Sequence, residues 1–138
     1  DMLETCKFQS PWLSTHFIDA ELWAELFSSA TGVKISAGDL LKAGERGYNV
    51  ERAFIAREGV RRKDDIPPWR EFDEPYPNGP YKGQVLNRKR YEAMLDEYYR
   101  LHGWDVETGI PTKKTLEGLG LADVARNLEE LGLYQKGN

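Results

Sequence analysis

Cys6 is the only cysteine in this chain, and Asp1 stands five residues before it. A lone thiol closes no disulfide within the chain, and by itself it holds no metal cluster. As a thiolate it could supply one ligand to iron in a cluster whose other three ligands come from elsewhere. The Asp1 carboxylate could accept two N–H bonds from a planar heterocycle. Together the two would set an organic cofactor beside a cluster, as an electron relay needs. The other reading of Cys6 is a small buried hydrophobe, and from the residues alone both readings stand. The chain begins at Asp1 without an initiating Met. We therefore expect a piece from the C-terminal end of a larger protein, with the partners of Cys6 upstream.

Other constellations are missing. There is no Cys-x-x-Cys, no His-Glu-x-x-His, no Gly-rich phosphate loop and no Gly-x-Ser-x-Gly. His16 and His102 lie far apart, each without a second ligand-type residue at metal spacing, and read as surface or core histidines. Asp64 and Asp65, which follow Arg61-Arg62-Lys63, could form a carboxylate pair with cationic clamps, but a solvated charge run is the simpler reading. The basic triplets 61–63 and 88–90 could touch phosphate. The net charge of -4, from 19 basic and 23 acidic residues, favours a solvated face and argues against a sequence-independent grip on nucleic acid.

A chain of 138 residues is one domain by length and can hold its own core. Its 40% hydrophobic and 30% charged content is that of a soluble globular protein. Apolar runs fall far short of the ~20 residues a membrane helix needs, so no membrane partner is expected. No signal peptide opens the chain. One cysteine and no disulfide framework suit a reducing cytoplasm.

The elements that must position these groups read as helices. Residues 1–18 form a connecting segment that carries the Cys6 motif. Asp19 caps a helix to about Thr31, with Leu22, Trp23, Leu26 and Phe27 as its stripe and Gly32 as its end. Ser36, with Asp39 three residues on, opens a second helix to about Glu58, stopped by Gly59. Its buried side is read as Leu40, Leu41, Ala43, Gly44, Gly47, Tyr48, Phe54 and Ile55. Gly44 and Gly47 suggest that a second helix or a neighbouring domain comes close there, the alternative being a kink near Gly47. Residues 61–86 hold five of the seven prolines together with Trp69, Phe72, Tyr76 and Tyr81. They read as a long extended loop, too aromatic for a disordered linker, packed along a surface. Three helices fill 87–134. Asn87 caps the first, to His102, with Tyr91, Met94, Leu95, Tyr98 and Leu101 as its stripe. Thr112 caps a short one through Leu119, and the last runs from Leu121 to Leu131. No alternating strand pattern appears, so the expected class is all-α, an irregular multi-helix domain with a long Pro-rich aromatic loop.

Over most of its length the chain resembles the C-terminal part of the tungsten-containing aldehyde:ferredoxin oxidoreductase family. The run from Asp1 through Cys6 to Phe8 is similar to the family's Asp-x-x-Gly-Leu-Cys pterin-and-cluster segment. Leu40 to Asn49, Arg57-Glu58-Gly59 and Arg62-Lys63-Asp64-Asp65 carry the resemblance further. So do Pro80-Tyr81-Lys82-Gly83, the run from Met94 to Tyr99, Gly103-Trp104-Asp105, Thr108 to Thr112 and Leu116 to Leu121. The first motif is short; the others, in order, are more specific.

The resemblance implies a parent enzyme that oxidises aldehydes to carboxylic acids and passes electrons to ferredoxin. Tungsten (or molybdenum) held by two pterins would be its metal centre, with one [4Fe–4S] cluster beside a pterin. It implies that Cys6 is the fourth cluster ligand and that Asp1 hydrogen-bonds a pterin. It implies further that no catalytic residue lies in this chain, that the chain lines part of the substrate approach, and that it is inactive without the upstream domains of the same polypeptide. Glu4 and Thr5 depart from the pattern, which has Gly and Leu there; Glu4 adds a negative charge near an anionic cofactor and loses the backbone freedom of glycine. Some relatives act on other substrates, including aromatic thioesters that they reduce. The alternative is a non-catalytic helical interaction module that docks through the Pro67–Tyr81 loop. In either case an exposed apolar patch is expected, involving some of Trp12, Trp69, Tyr76 and Tyr81.

Overall fold

Local signals set the helix ends, and the computed structural model, which describes residues 19–134, follows them closely. Six α-helices and one 3-10 turn occur among these residues, with no strand beyond an isolated bridge between Trp104 and Pro111, so the class is all-α. The backbone groups into two compact units, Asp1–Val50 and Glu51–Asn138.

In the first unit, α1 spans Ala20–Thr31. The Asp19 carboxylate accepts from the Leu22 amide at 2.9 Å, and Gly32 ends the helix in the left-handed region at φ 75°. Ala24 is its buried residue; of the apolar stripe expected there, Trp23 and Phe27 are half-buried and Leu22 and Leu26 are exposed. Helix α2 spans Ala37–Arg57, with its residues from Glu51 onward counted in the second unit, and opens on the anticipated cap: the Ser36 hydroxyl accepts from the Asp39 amide at 3.1 Å and donates to the Asp39 carboxylate at 2.6 Å. The helix runs unbroken through Gly44 and Gly47. A Cβ on Gly44 would meet nothing within 4 Å, so no second helix among the described residues approaches it. The inward face of α2 also differs from the expected one. Leu41 and Phe54 are exposed, while Asn49, Arg52, Ala53 and Ala56 are buried, at i, i+3, i+4 and i+7.

In the second unit, segment 61–86 is not the extended loop that its prolines suggest. Arg62–Asp65 forms a 3-10 turn and Arg70–Asp73 a single α-turn, α3. The remainder folds back on itself, with the Tyr76 amide donating to Gln84 O at 3.0 Å and the Leu86 amide to Glu71 O at 2.8 Å. Prolines forbid long helices but leave single turns free between them. Helix α4 spans Arg88–His102, capped by Asn87, whose side chain accepts from the Arg90 amide at 3.0 Å. Helices α5 (Lys113–Gly118) and α6 (Ala122–Glu130) pack together. Their core residues Leu116, Leu121, Ala125 and Leu128 close with Ala53, Ala56 and Ile110 into one buried cluster. No helix is long and apolar enough to cross a membrane among the described residues.

Candidate functional site

Asp1 and Cys6, the residues singled out for cofactor and cluster, lie outside the described residues, as do Trp12 and His16. Among the described residues no group of three or more His, Cys, Asp or Glu could hold a metal ion. Cys6 is the only thiol in the chain, so this chain can offer a cluster one cysteine ligand at most.

What the described residues build is a polar knot around Asp65. Helix α2 carries Arg52 inward, 5% exposed. Its guanidinium grips Asp65 with two parallel bonds, Nη1–Oδ1 at 2.9 Å and Nη2–Oδ2 at 2.5 Å, and its Nε donates to the Gly109 carbonyl at 2.7 Å. The fork geometry of Arg suits this bidentate grip. The Tyr99 hydroxyl, fully buried on α4, donates to the same carboxylate, and the Tyr91 hydroxyl donates to the Asp65 carbonyl at 2.8 Å. The Arg52 guanidinium also lies over the Trp104 ring, 4.7 Å from its centroid.

A second arginine ties the same elements. Arg62 pairs with Asp96 of α4 at 2.6 Å and donates to Val106 O at 2.9 Å. Its amide donates to Thr108 O at 3.0 Å. Asp64 does not join them. Its carboxylate accepts from the Arg61 amide at 2.9 Å and caps the 3-10 turn. The run 61–65 is therefore no carboxylate pair, and it is solvated only in part: Lys63 and Asp64 are exposed, whereas Arg61, Arg62 and Asp65 are half-buried and tied into the fold.

The turn that receives Arg52 is shaped by Asp105, whose carboxylate accepts from the Thr108 amide and hydroxyl at 2.8 and 2.7 Å. Gly109 closes this turn at φ 72°, and a Cβ there would collide with the Arg52 guanidinium and the Tyr99 hydroxyl. Glycine is required at this position by backbone and by space.

The electrostatics follow from these contacts. Loss of water pushes the Asp65 carboxyl up. The hydrogen bonds from Arg52 and Tyr99 and the charges of Arg52 and Arg62 outweigh it, and the group sits below its ordinary range. Burial and the bond to Asp65 push the Tyr99 phenol up. Arg52 is held charged: burial works against the ion, and the Asp65 contacts overcome that. A carboxylate with both oxygens taken and a phenol held protonated do no acid–base work near neutral pH. The knot is a scaffold.

Arg52 is the residue that the sequence reading missed. The signal was the row Asn49, Arg52, Ala53, Ala56, in which small and polar residues hold the core-facing spacing of α2. Elsewhere in this unit a cavity of about 270 Å³ is lined by Ile110, Thr112, Leu133 and Tyr134, among others. Trp69 and Tyr81 are 61% and 64% exposed, and Tyr76 is exposed as well, as anticipated for the loop.

Comparison with known proteins sets these residues in a family. Residues 1–121 match the family model described as aldehyde ferredoxin oxidoreductase, domains 2 and 3. The tungsten-containing aldehyde ferredoxin oxidoreductases of Pyrococcus furiosus and Thermococcus kodakarensis are each 39% identical over 111 residues, which is 80% of this chain and 18% of theirs. The WOR-like subunit of an aliphatic sulfonate oxidoreductase from Pyrococcus furiosus is 41% identical over 71 residues, covering 51% of this chain and 11% of that subunit. Among solved structures, the active-site complex BamBC of benzoyl coenzyme A reductase with 1,5-dienoyl-CoA aligns with a TM-score of 0.72 and 29% identity, over 87% of this chain and 16% of that one. The chain thus spans less than a fifth of the length of the curated relatives it matches. Both the Asp1–Cys6 segment and every member of the knot fall inside the matched residues. The chain belongs to the aldehyde ferredoxin oxidoreductase family.

Proposed function

We propose that this chain is the C-terminal helical part of a tungsten-pterin, iron–sulfur oxidoreductase that oxidises aldehydes to carboxylic acids. The observation that carries this reading is the family match over residues 1–121, which takes in the Asp1–Cys6 motif. Oxidation of an aldehyde consumes one water and releases two electrons and two protons, and ferredoxin takes the electrons. A tungsten (or molybdenum) bis-pterin supplies the two-electron oxygen-transfer chemistry, and a [4Fe–4S] cluster supplies one-electron steps. The roles of this chain are narrower. Cys6 contributes the fourth cluster ligand, and Asp1 accepts hydrogen bonds from a pterin. The knot around Asp65 holds α2, the 3-10 turn, α4 and the 104–111 turn in one arrangement. Upstream domains of the same polypeptide supply the other three cysteines, and the 138 residues alone are inactive. A cytoplasmic location goes with this reading.

The full-length protein, expressed with tungsten and iron supplied, is expected to carry both metals and to oxidise an aldehyde with a viologen or ferredoxin as acceptor. Cys6→Ser is expected to abolish the cluster absorbance. A full-length protein with neither metal ends this reading. A second reading, a non-catalytic module docking through Pro67–Tyr81, is favoured by the exposure of Trp69 and Tyr81. It predicts an unchanged spectrum for Cys6→Ser.

A further inference from the structure

Asn78-Gly79 is the one Asn–Gly step in the chain. It lies at the tip of the fold-back between α3 and α4, and both residues are exposed. The backbone around it is tied down. The Gly83 amide donates to Tyr76 O at 2.9 Å, the Tyr76 amide to Gln84 O at 3.0 Å and the Lys82 amide to Gly79 O at 3.1 Å. The atoms that could react stay outside these bonds. The Asn78 side-chain amide has no hydrogen-bond partner among the described residues, and the Gly79 amide donates to none of them. Gly79 sits at φ 82°, with nothing within 4 Å of the place a Cβ would take, so the approach to its nitrogen is open. The other asparagines of the described residues differ. Asn49 is fully buried with its Nδ2 donating to Glu45 O at 3.0 Å, Asn87 is held as the α4 cap, and Asn127 lies inside α6. Each precedes a residue with a bulky side chain: Val50, Arg88 and Leu128.

We propose that Asn78 is a site of covalent modification, deamidated by the backbone of its own loop. The Gly79 nitrogen attacks the side-chain carbonyl carbon of Asn78. A carbon–nitrogen bond forms there, the bond from that carbon to Nδ2 breaks, and Nδ2 leaves as ammonia with the proton of the Gly79 amide. Solvent water then opens the five-membered imide at either carbonyl, which leaves aspartate or isoaspartate. Nothing is oxidised or reduced. Both products place a new negative charge between Tyr76 and Tyr81. Isoaspartate also routes the backbone through an added methylene, inside the span that the Gly83-to-Tyr76 bond closes. The reaction quickens as pH rises, because the attacking nitrogen must give up its proton.

The full-length protein is incubated at mildly alkaline pH in water enriched in oxygen-18, and its peptides are analysed by mass spectrometry. The Asn78 peptide is expected to yield two separable products, aspartate and isoaspartate, each with a heavy oxygen. Aspartate without isoaspartate means direct attack by water and overturns the proposal. The rate at Asn78 is expected to exceed that at Asn49, Asn87 and Asn127 by at least about tenfold, since an exposed amide outside the hydrogen-bond network needs no opening of the fold; a smaller margin overturns it. The native rate should lie within about twentyfold of the rate in guanidinium, and a slower one shows that the loop shields the step and overturns it. Gly79→Ala, measured in guanidinium so that loop geometry plays no part, should slow the reaction by at least about fivefold through crowding of the nitrogen; a smaller effect removes Gly79 as the attacking group.

Discussion

Around Arg52 and Asp65, charged side chains are tied together away from water; in the 67–86 segment Phe72 is buried, but Trp69, Tyr76 and Tyr81 stand in it. The first region buries an arginine because every direction of its guanidinium meets an acceptor or a ring: two Asp65 oxygens, the Gly109 carbonyl and the Trp104 face. The second region exposes Trp69 and Tyr81 although both are large and partly apolar. Burial in this molecule follows the supply of partners rather than residue class. A buried ion whose partners are all present is tolerated, and one that loses a partner is costly.

That contrast can be broken from the side of the knot. Asp65→Ala strands Arg52 without a counter-charge, and we expect a loss of about 3–5 kcal/mol in urea unfolding of the chain. A loss below about 1 kcal/mol would mean that the pair is no more than a surface bridge. Gly109→Ala attacks the same knot through the backbone. A side chain at φ 72°, set against Arg52 and Tyr99, should cost about 2–4 kcal/mol. Asn87→Ala, which removes the α4 cap and touches neither region's side-chain network, should cost about 1 kcal/mol by the same measurement. Trp69→Ala in the exposed loop should cost no more than about 0.5 kcal/mol in the 138-residue chain. A larger loss would show that the loop aromatics stabilise this fold.

The pH profile sharpens the comparison. The folded Asp65 carboxyl lies below its unfolded value, so its contribution is complete above about pH 4 and is lost as pH falls through the folded pKa. On the alkaline side, Tyr99 and Tyr134 are raised by burial, with Tyr134 pushed up to about 12. Their contribution is complete below the unfolded phenol pKa near 10 and fades as pH rises toward the folded values. Unfolding free energy should therefore plateau between these limits. Asp65→Asn should flatten the acid limb, whereas Trp69→Ala should leave both limbs unchanged.

Much of this architecture was legible in the chain. Asp19, Ser36, Asn87 and Thr112 mark helix starts, and Gly32, Gly59, Gly103, Gly120 and Gly132 follow helix ends, because caps and left-handed glycines act through bonds within a few residues. The Asp1–Cys6 spacing and the ordered motifs likewise pointed to the family that the comparison then established. The inward faces were less legible. Leu22, Leu26, Leu41, Phe54, Met94 and Leu101 satisfy helical periodicity and yet are exposed, because period alone cannot say which side of a helix meets the rest of the protein. The turns at 62–65 and 70–73 hid behind prolines, which exclude long helices and permit single turns.

Sequence alone determined where the capped helices begin and end, though not the short turns at 62–65 and 70–73, and how many thiols the chain can offer a cluster, since these depend on neighbouring residues and on composition. Only the tertiary structure decided that Arg52, Asp65, Tyr99 and Gly109 form one knot. The partners in that knot lie 13 to 57 residues apart, and whether an ion is buried depends on what the fold brings to meet it.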